Sequence, residues 1–227
     1  MNKLSTLFAT ILFLTGILTG CNKEQNPVAG SNSHKVLDAP AIDVVVEEMP
    51  LGGYTDIVNN TNFDVVVVED VNYNVIVEAV DYATLATIEP TVSNGTLTIS
   101  APASTTTTEA TVYVHTPVAG KIDIKKDGNV RVNGNYSTLD VNLKGNGSGI
   151  ISGTANLLRI SGNGNGNLDA LSMPAIDVVV NIKGNSQVKV APQSTLDVDL
   201  GGNSKVFYTG NPIVTKKLKG NAKLKKI

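Results

Sequence analysis

Six of the Gly-Asn pairs in the second half of the chain align as a repeat: Gly128-Asn129, Gly145-Asn146, Gly162-Asn163, Gly184-Asn185, Gly202-Asn203 and Gly220-Asn221. They are spaced by 17, 17, 22, 18 and 18 residues. A repeat this short that also carries strand patterning points to a solenoid, one coil per repeat, because a single coil cannot bury its own apolar face and must stack on a neighbour. Two residues before each glycine stand Lys126, Leu143, Ile160, Ile182, Leu200 and Leu218; four before stand Ile124, Val141, Leu158, Val180, Val198 and Lys216. Five of six are apolar at each position and the residues between are mostly polar, so a strand with one inward face runs into every Gly-Asn. This alignment predicts Leu143, Ile160, Ile182 and Leu200 in one buried column. The two exceptions fall in the outermost repeats, where end coils are atypical.

The same repeat explains "RISGNGNGNLDA", residues 159–170. A dinucleotide fingerprint needs a helix opening after its glycines, and a P-loop needs Gly-Lys-Ser/Thr; neither follows. Glycine suits a sharp bend, and asparagine tolerates positive φ better than most residues. Coils stack about 4.8 Å apart, so asparagines in register can pass amide hydrogen bonds along the axis. Six solvated turn asparagines are the competing reading, since turns alone favour Gly-Asn.

Upstream, "FDVVVVED", "YNVIVEAV", "TLTIS" after the turn signal "SNG", and "ATVYVHTP" read as short strands separated by turns. Only "DYATLATI" hints at helical periodicity, and it is short. Val, Ile, Leu, Thr, Gly and Asn dominate and there is no Trp, a composition suited to strands and turns. The fold class expected is all-β: a β-solenoid C-terminal half, parallel β-helix-like, continuous with an N-terminal β-rich region.

The N-terminus reads as a targeting segment. Lys3 precedes the apolar run "LSTLFATILFLTGIL", which ends in "LTGC", Leu18 to Cys21. This resembles a bacterial lipoprotein signal, in which cleavage falls before the cysteine and its thiol receives a diacylglycerol. Acylation of the new N-terminus normally accompanies it, palmitate being the expected chain, and several acyl chains anchor a protein stably where one does not. An ordinary signal peptide with an incidental thiol is the alternative. Cys21 is the single cysteine, so no intramolecular disulfide can form. The organisation expected is a signal peptide over 1–20, a lipidated tether over 21–50, a β-strand region over 51–120 and solenoid repeats over 121–227. Asn22-Lys23-Glu24 resembles the export signals of Bacteroidetes lipoproteins, which implies the outer membrane with the protein facing outward.

"LDVNLKGNGSGIISG", "IDVVVNIKGNSQVKV", "LDVDLGGNSKVFYTGNP" and "KLKGNAKLKKI" resemble the auto-transporter adhesin head GIN domain family, in which strands of the form L-D-V-x-L-x-G precede a Gly-rich corner. "FDVVVVED", "YNVIVEA", "NGTLTIS" and "TVYVHTPVAGKIDI" match its N-terminal layout, so the resemblance spans roughly residues 54–227. It implies a β-helix-like fold in lipoproteins and secreted proteins of Bacteroidetes-type bacteria, and it implies no particular biochemical activity.

No catalytic constellation emerges. The histidines are His34, in the tether, and His115, in a strand, and no zinc spacing exists. No metal or cofactor is expected. Polysaccharide-cleaving β-helix enzymes form the rival class, and they need clustered Asp with Arg or Lys on one face. The only arginines are Arg131 and Arg159; Asp140, Asp177 and Asp197 fall at equivalent strand positions and predict an exposed column, which reads as a solvated face. A non-enzymatic adhesion or binding module is the leading reading. Tyr136 and Tyr208 are the rings that could stack on a sugar.

Charge is divided unevenly. Residues 36–120 hold twelve Asp/Glu and no Lys or Arg; residues 121–227 hold 15 Lys/Arg and seven Asp. The overall charge of −2 therefore hides a strong dipole. Lys216, Lys217, Lys219, Lys223, Lys225 and Lys226 crowd the last repeat. They read as guards of an open strand edge, with an anionic binding site as the competing role. The expected partners are a membrane through the lipid and a glycan or another surface component. Nucleic acid is not expected, since basic and aromatic residues do not interleave, and the chain is expected to be a monomer.

Overall fold

Inward and outward residues alternate along nearly every strand, so the chain folds as a β-solenoid of about six turns. The structure is a computed structural model that describes residues 44–102 and 109–227. Its elements are β1 (Val45–Met49), β2 (Asp56–Asn59), β3 (Asp64–Glu69), β4 (Asn74–Ala79), α1 (Tyr82–Leu85), β5 (Glu89–Ser93), β6 (Thr96–Ser100) and β7 (Ala110–Thr116). There follow β8 (Lys121–Ile124), β9 (Val130–Leu143), β10 (Ser148–Gly162), β11 (Asn167–Gly184), β12 (Gln187–Gly202), β13 (Lys205–Tyr208), β14 (Ile213–Leu218) and β15 (Lys223–Lys226).

Two ladders of parallel strands enclose the core. One stacks β7, β3, β9, β10, β11, β12, β13 and β15; the other stacks β6, β2, β8, β9, β10, β11, β12 and β14. The long strands β9 to β12 each bend midway and contribute one half to each ladder. Valine, isoleucine and leucine fill the space between: Val141, Ile160, Val180 and Val198 form one buried row. Each fully buried side chain of this kind is worth roughly 1.5–3 kcal/mol.

This row corrects the predicted column. Ile160 neighbours Val141 and Val180, whereas Leu143 and Ile182 neighbour Gly162. The third corner is therefore Gly164-Asn165, and the coils measure 19, 19, 20, 18 and 18 residues from Asp127 through Asn146, Asn165, Asn185 and Asn203 to Asn221. A slip of two residues keeps every side chain on its own face, so alternation alone could not separate Gly162 from Gly164. The corner glycines are needed for two different reasons. A Cβ on Gly145 would lie 1.9 Å from the Lys126 carbonyl oxygen, and one on Gly164 1.9 Å from that of Gly145. Gly184, Gly202 and Gly220 meet the preceding corner's carbonyl oxygen at 2.5, 2.6 and 3.0 Å in the same way, and in addition take positive φ of 138°, 69° and 71°.

The N-terminal end is not threaded in chain order. β2 and β3 lie between β6/β7 on one side and β8/β9 on the other. Antiparallel strands then cap that end: β4 on β7, β1 on β4, and β5 on β6. The β5–β6 connection is Asn94-Gly95, both at positive φ, as a two-residue hairpin turn of type I′ requires. The helical hint in "DYATLATI" becomes the single turn α1, whose first turn is capped by Asp81 accepting from the Thr84 amide at 2.6 Å.

Among the described residues the free edges are β1, β5, β14 and β15. Charged residues take inward positions at three of them: Glu47 opposite Val77, Lys216 opposite Val198 and Lys226 opposite Tyr208. Inward charge is a recognised block to edge-on pairing.

Candidate functional site

The corners carry a ladder of side chains. Asn146 Nδ2 donates to Asp127 Oδ1 at 2.9 Å, Asn165 to Asn146 at 2.7 Å, Asn185 to Asn165 and Asn203 to Asn185 at 2.8 Å each, and Asn221 to Asn203 at 3.0 Å. The ladder therefore exists, though it is exposed, and its first and third members are Asp127 and Asn165 rather than Asn129 and Asn163. Its amides are committed to one another, which makes this ridge a structural feature.

On the outward face of the β8–β10 ladder, Lys121, Asp140 and Arg159 are consecutive neighbours. Arg159 Nη1 donates to Asp140 Oδ1 at 3.1 Å. Beside them Asn142, Ser161 and Asn181 line the same open groove, about 410 Å³ in volume. Asp123, only 4% exposed, closes the adjoining row and accepts from Asn142 at 3.2 Å and Lys144 at 3.3 Å. The predicted column of aspartates does not form. Arg159 and Val179 separate Asp140 from Asp197 in one row, while Asp177 sits in another between Leu157 and Thr195 and accepts from Thr195 at 2.6 Å. Three strand spacings put Asp140 and Asp197 roughly 14 Å apart, beyond the separation of paired glycosidase carboxylates. Counting back from the corner glycines shows why: Asp140 and Asp197 stand five residues before Gly145 and Gly202, whereas Asp177 stands seven before Gly184.

The other outward face runs from acidic to basic. At the capped end Tyr113 donates to Glu78 at 3.1 Å, and His115 Nδ1 lies 3.0 Å from Asp70 Oδ2. The His115 hydrogen bond, helped by the Asn72 amide, holds the Asp70 carboxyl below the usual range. At the opposite end Lys205, Lys223 and Lys225 surround Phe207 and Val206 in a groove of about 210 Å³.

The tyrosines singled out from the sequence do not offer a stacking face. Tyr136 lines a groove with Thr55, Val118 and Asn135, but it is 7% exposed, and burial pushes its hydroxyl up to about 12. Tyr208 falls on the inward parity of β13, two residues after the buried Val206, and packs against the core. The outward ring is Phe207. Counting by twos from Val206 would have separated the two. Cys21 lies outside the described residues.

Comparison with known proteins agrees with the architecture. No curated protein matches the chain. A "putative adhesin" from Bacteroides fragilis NCTC 9343 is similar at a TM-score of 0.66 and 18% identity, over 83% of this chain and 99% of that one. A "putative lipid binding protein" from Parabacteroides distasonis ATCC 8503 is similar at a TM-score of 0.52 and 17% identity, over 82% of this chain and 97% of that one. At those identities the likeness concerns the fold. The family model described as "Putative auto-transporter adhesin, head GIN domain" matches residues 53–212, the span of interleaved N-terminal coils and repeated corners, and the chain belongs to that family.

Proposed function

We propose that this protein is a lipid-anchored module of the bacterial cell envelope that adheres to or binds a surface component and catalyses no reaction. The observation that carries this reading is the display of two long outward faces, on which side chains stand in rows across successive coils and line open grooves. Such rows suit extended, repetitive ligands better than small molecules, which favour enclosed sites. The family description speaks of an adhesin, and one similar structure carries the words "lipid binding protein". Acyl groups on Cys21, behind "LTGC", hold the module to the outer membrane, facing outward, through the tether.

Two measurements test the reading. Cys21→Ser should move the protein from the membrane pellet to the soluble fraction, and the wild-type N-terminal peptide should carry lipid mass. A mutant that stays in the pellet, with no lipid on the wild type, removes the anchor. Beads coated with residues 44–227 should adhere to glycan-bearing surfaces; uniform failure to adhere removes the adhesion role.

A second reading, a polysaccharide-cleaving enzyme, is favoured by one observation: Lys121, Asp140 and Arg159 flank a groove. It ranks second because Asp140 is engaged by Arg159. Release of unsaturated or reducing ends from acidic polysaccharides, lost in Asp140→Asn, would bring it forward.

A further inference from the structure

Residues 205–227 hold seven lysines and no aspartate or glutamate. Edge protection accounts for Lys216 and Lys226, which take inward positions on free edges. It does not account for Lys205. β13 is paired on both sides, by β12 and by β15, so it has no free edge to guard. Yet Lys205 stands directly beside Lys223, both exposed and outward, an arrangement that costs stability because like charges on neighbouring strands repel.

Two residues along, Lys189, Phe207 and Lys225 form the next row. Lys189 is neutralised by Asp169 at 2.8 Å. Among the described residues no carboxylate lies within ion-pair distance of Lys205, Lys223 or Lys225. Those three side chains rim the groove of about 210 Å³ over the outward Phe207; Val206, which also lines it, is 1% exposed and faces the core. An apolar floor with a cationic rim fits a ligand that is flat and apolar on one side and carries negative charge at its margin.

We propose that this groove binds an acidic polysaccharide, with a sugar ring laid on Phe207 and carboxylate or sulfate groups on Lys205, Lys223 and Lys225. The proposal rests on the adhesion reading above and gives it a ligand class. Neighbouring strands are about 4.8 Å apart and alternate residues on one strand about 6.7 Å apart, so the lysines are spaced for several charges along one chain. A polymer can meet all three together, and long lysine stems adjust to its repeat. An anionic membrane is the poorer fit. Interfacial binding sinks an apolar face about 5–10 Å into the lipid, whereas Phe207 is a single half-buried ring flanked by Lys189 and Lys225.

The test uses the full mature chain with polygalacturonate, dextran sulfate and anionic phospholipid vesicles as separate probes. Wild type should bind one or both polysaccharides, less tightly as salt rises. Lys205→Gln with Lys223→Gln should weaken binding roughly tenfold or more, and Phe207→Leu, which preserves packing, should also weaken it. Lys216→Gln with Lys217→Gln, an equal loss of charge on β14, should change affinity less than about twofold. No variant should unfold below wild type, and Lys205→Gln with Lys223→Gln should unfold at an equal or higher midpoint, since it removes a like-charge pair. Equal weakening by the two double variants would mean diffuse attraction and overturn the site. So would undiminished binding by Phe207→Leu, absence of polysaccharide binding by wild type, or vesicle binding that polysaccharide does not compete away. Polysaccharide binding lost in the groove variants supports the groove whether or not the protein adheres to cells. Failure of wild type to adhere to any surface, with polysaccharide binding intact, would remove the adhesion reading alone.

Discussion

Asn165 donates its side-chain amide to Asn146, 19 residues earlier, at 2.7 Å, and this bond marks the register of the third coil. Asn165 also accepts from Asn185 at 2.8 Å. Asn163 makes its coil contact through the backbone, its amide donating to the Leu143 carbonyl at 3.2 Å. Asn165→Ala should therefore lower stability by about 1 kcal/mol for two solvent-exposed links, while Asn163→Ala should cost less than about 0.5 kcal/mol. Urea unfolding of the two variants decides the point, and equal losses would place the corner elsewhere.

Glycine substitutions should separate close approach from mere turn preference. Gly164→Ala drives a methyl into the Gly145 carbonyl and should cost more than about 2 kcal/mol, a backbone-strain effect at the upper end for single substitutions. Gly201, one residue before a positive-φ corner, would give its Cβ only Lys183 Cγ at 3.6 Å. Gly201→Ala should be neutral or stabilising by about 0.4–1 kcal/mol, through the reduced entropy of the unfolded chain. Thermal unfolding midpoints moving in opposite directions would bear this out; parallel shifts would contradict it.

Alkaline pH should expose the buried tyrosines. Burial raises the Tyr54 and Tyr136 hydroxyls from 10.0 to about 12, with Tyr73 and Glu69 adding to the respective effects. A folded-state value above the unfolded one means the unfolded chain releases these protons first. Their contribution is complete below pH 10 and is lost as pH rises through about 12. Stability should stay level up to about pH 10 and fall between 10 and 12, and Tyr136→Phe should flatten that fall. A spectrophotometric titration in which Tyr54 and Tyr136 ionise near pH 10 without unfolding would contradict it.

The inward lysines of the last coil should keep it from pairing. Lys216→Val with Lys226→Leu gives β14 and β15 apolar inward faces beside Val214 and Leu224. Sedimentation should then show concentration-dependent association, while wild type stays monomeric. A monomeric double variant would assign these lysines another purpose.

Much of this molecule was legible in local pattern. Repeated Gly-Asn corners and period-two alternation determined an all-β solenoid and the inward face of its repeat strands, and "SNG" marked a turn at Asn94-Gly95, because pleat geometry and glycine's steric freedom act over a few residues. Tertiary structure alone decided what depends on neighbours in space. Gly164 rather than Gly162 became the third corner because a two-residue slip is invisible to alternation but not to a carbonyl 1.9 Å away. β6 and β7 stack outside β2 and β3 because unsatisfied edges of an early coil can be covered by any later strand, and chain order does not say which. Coil lengths of 19, 19 and 20 residues replaced the 17, 17 and 22 read from Gly128, Gly145, Gly162 and Gly184. Those lengths follow from how each coil packs on the last, and packing is a property of the stack rather than of any one repeat.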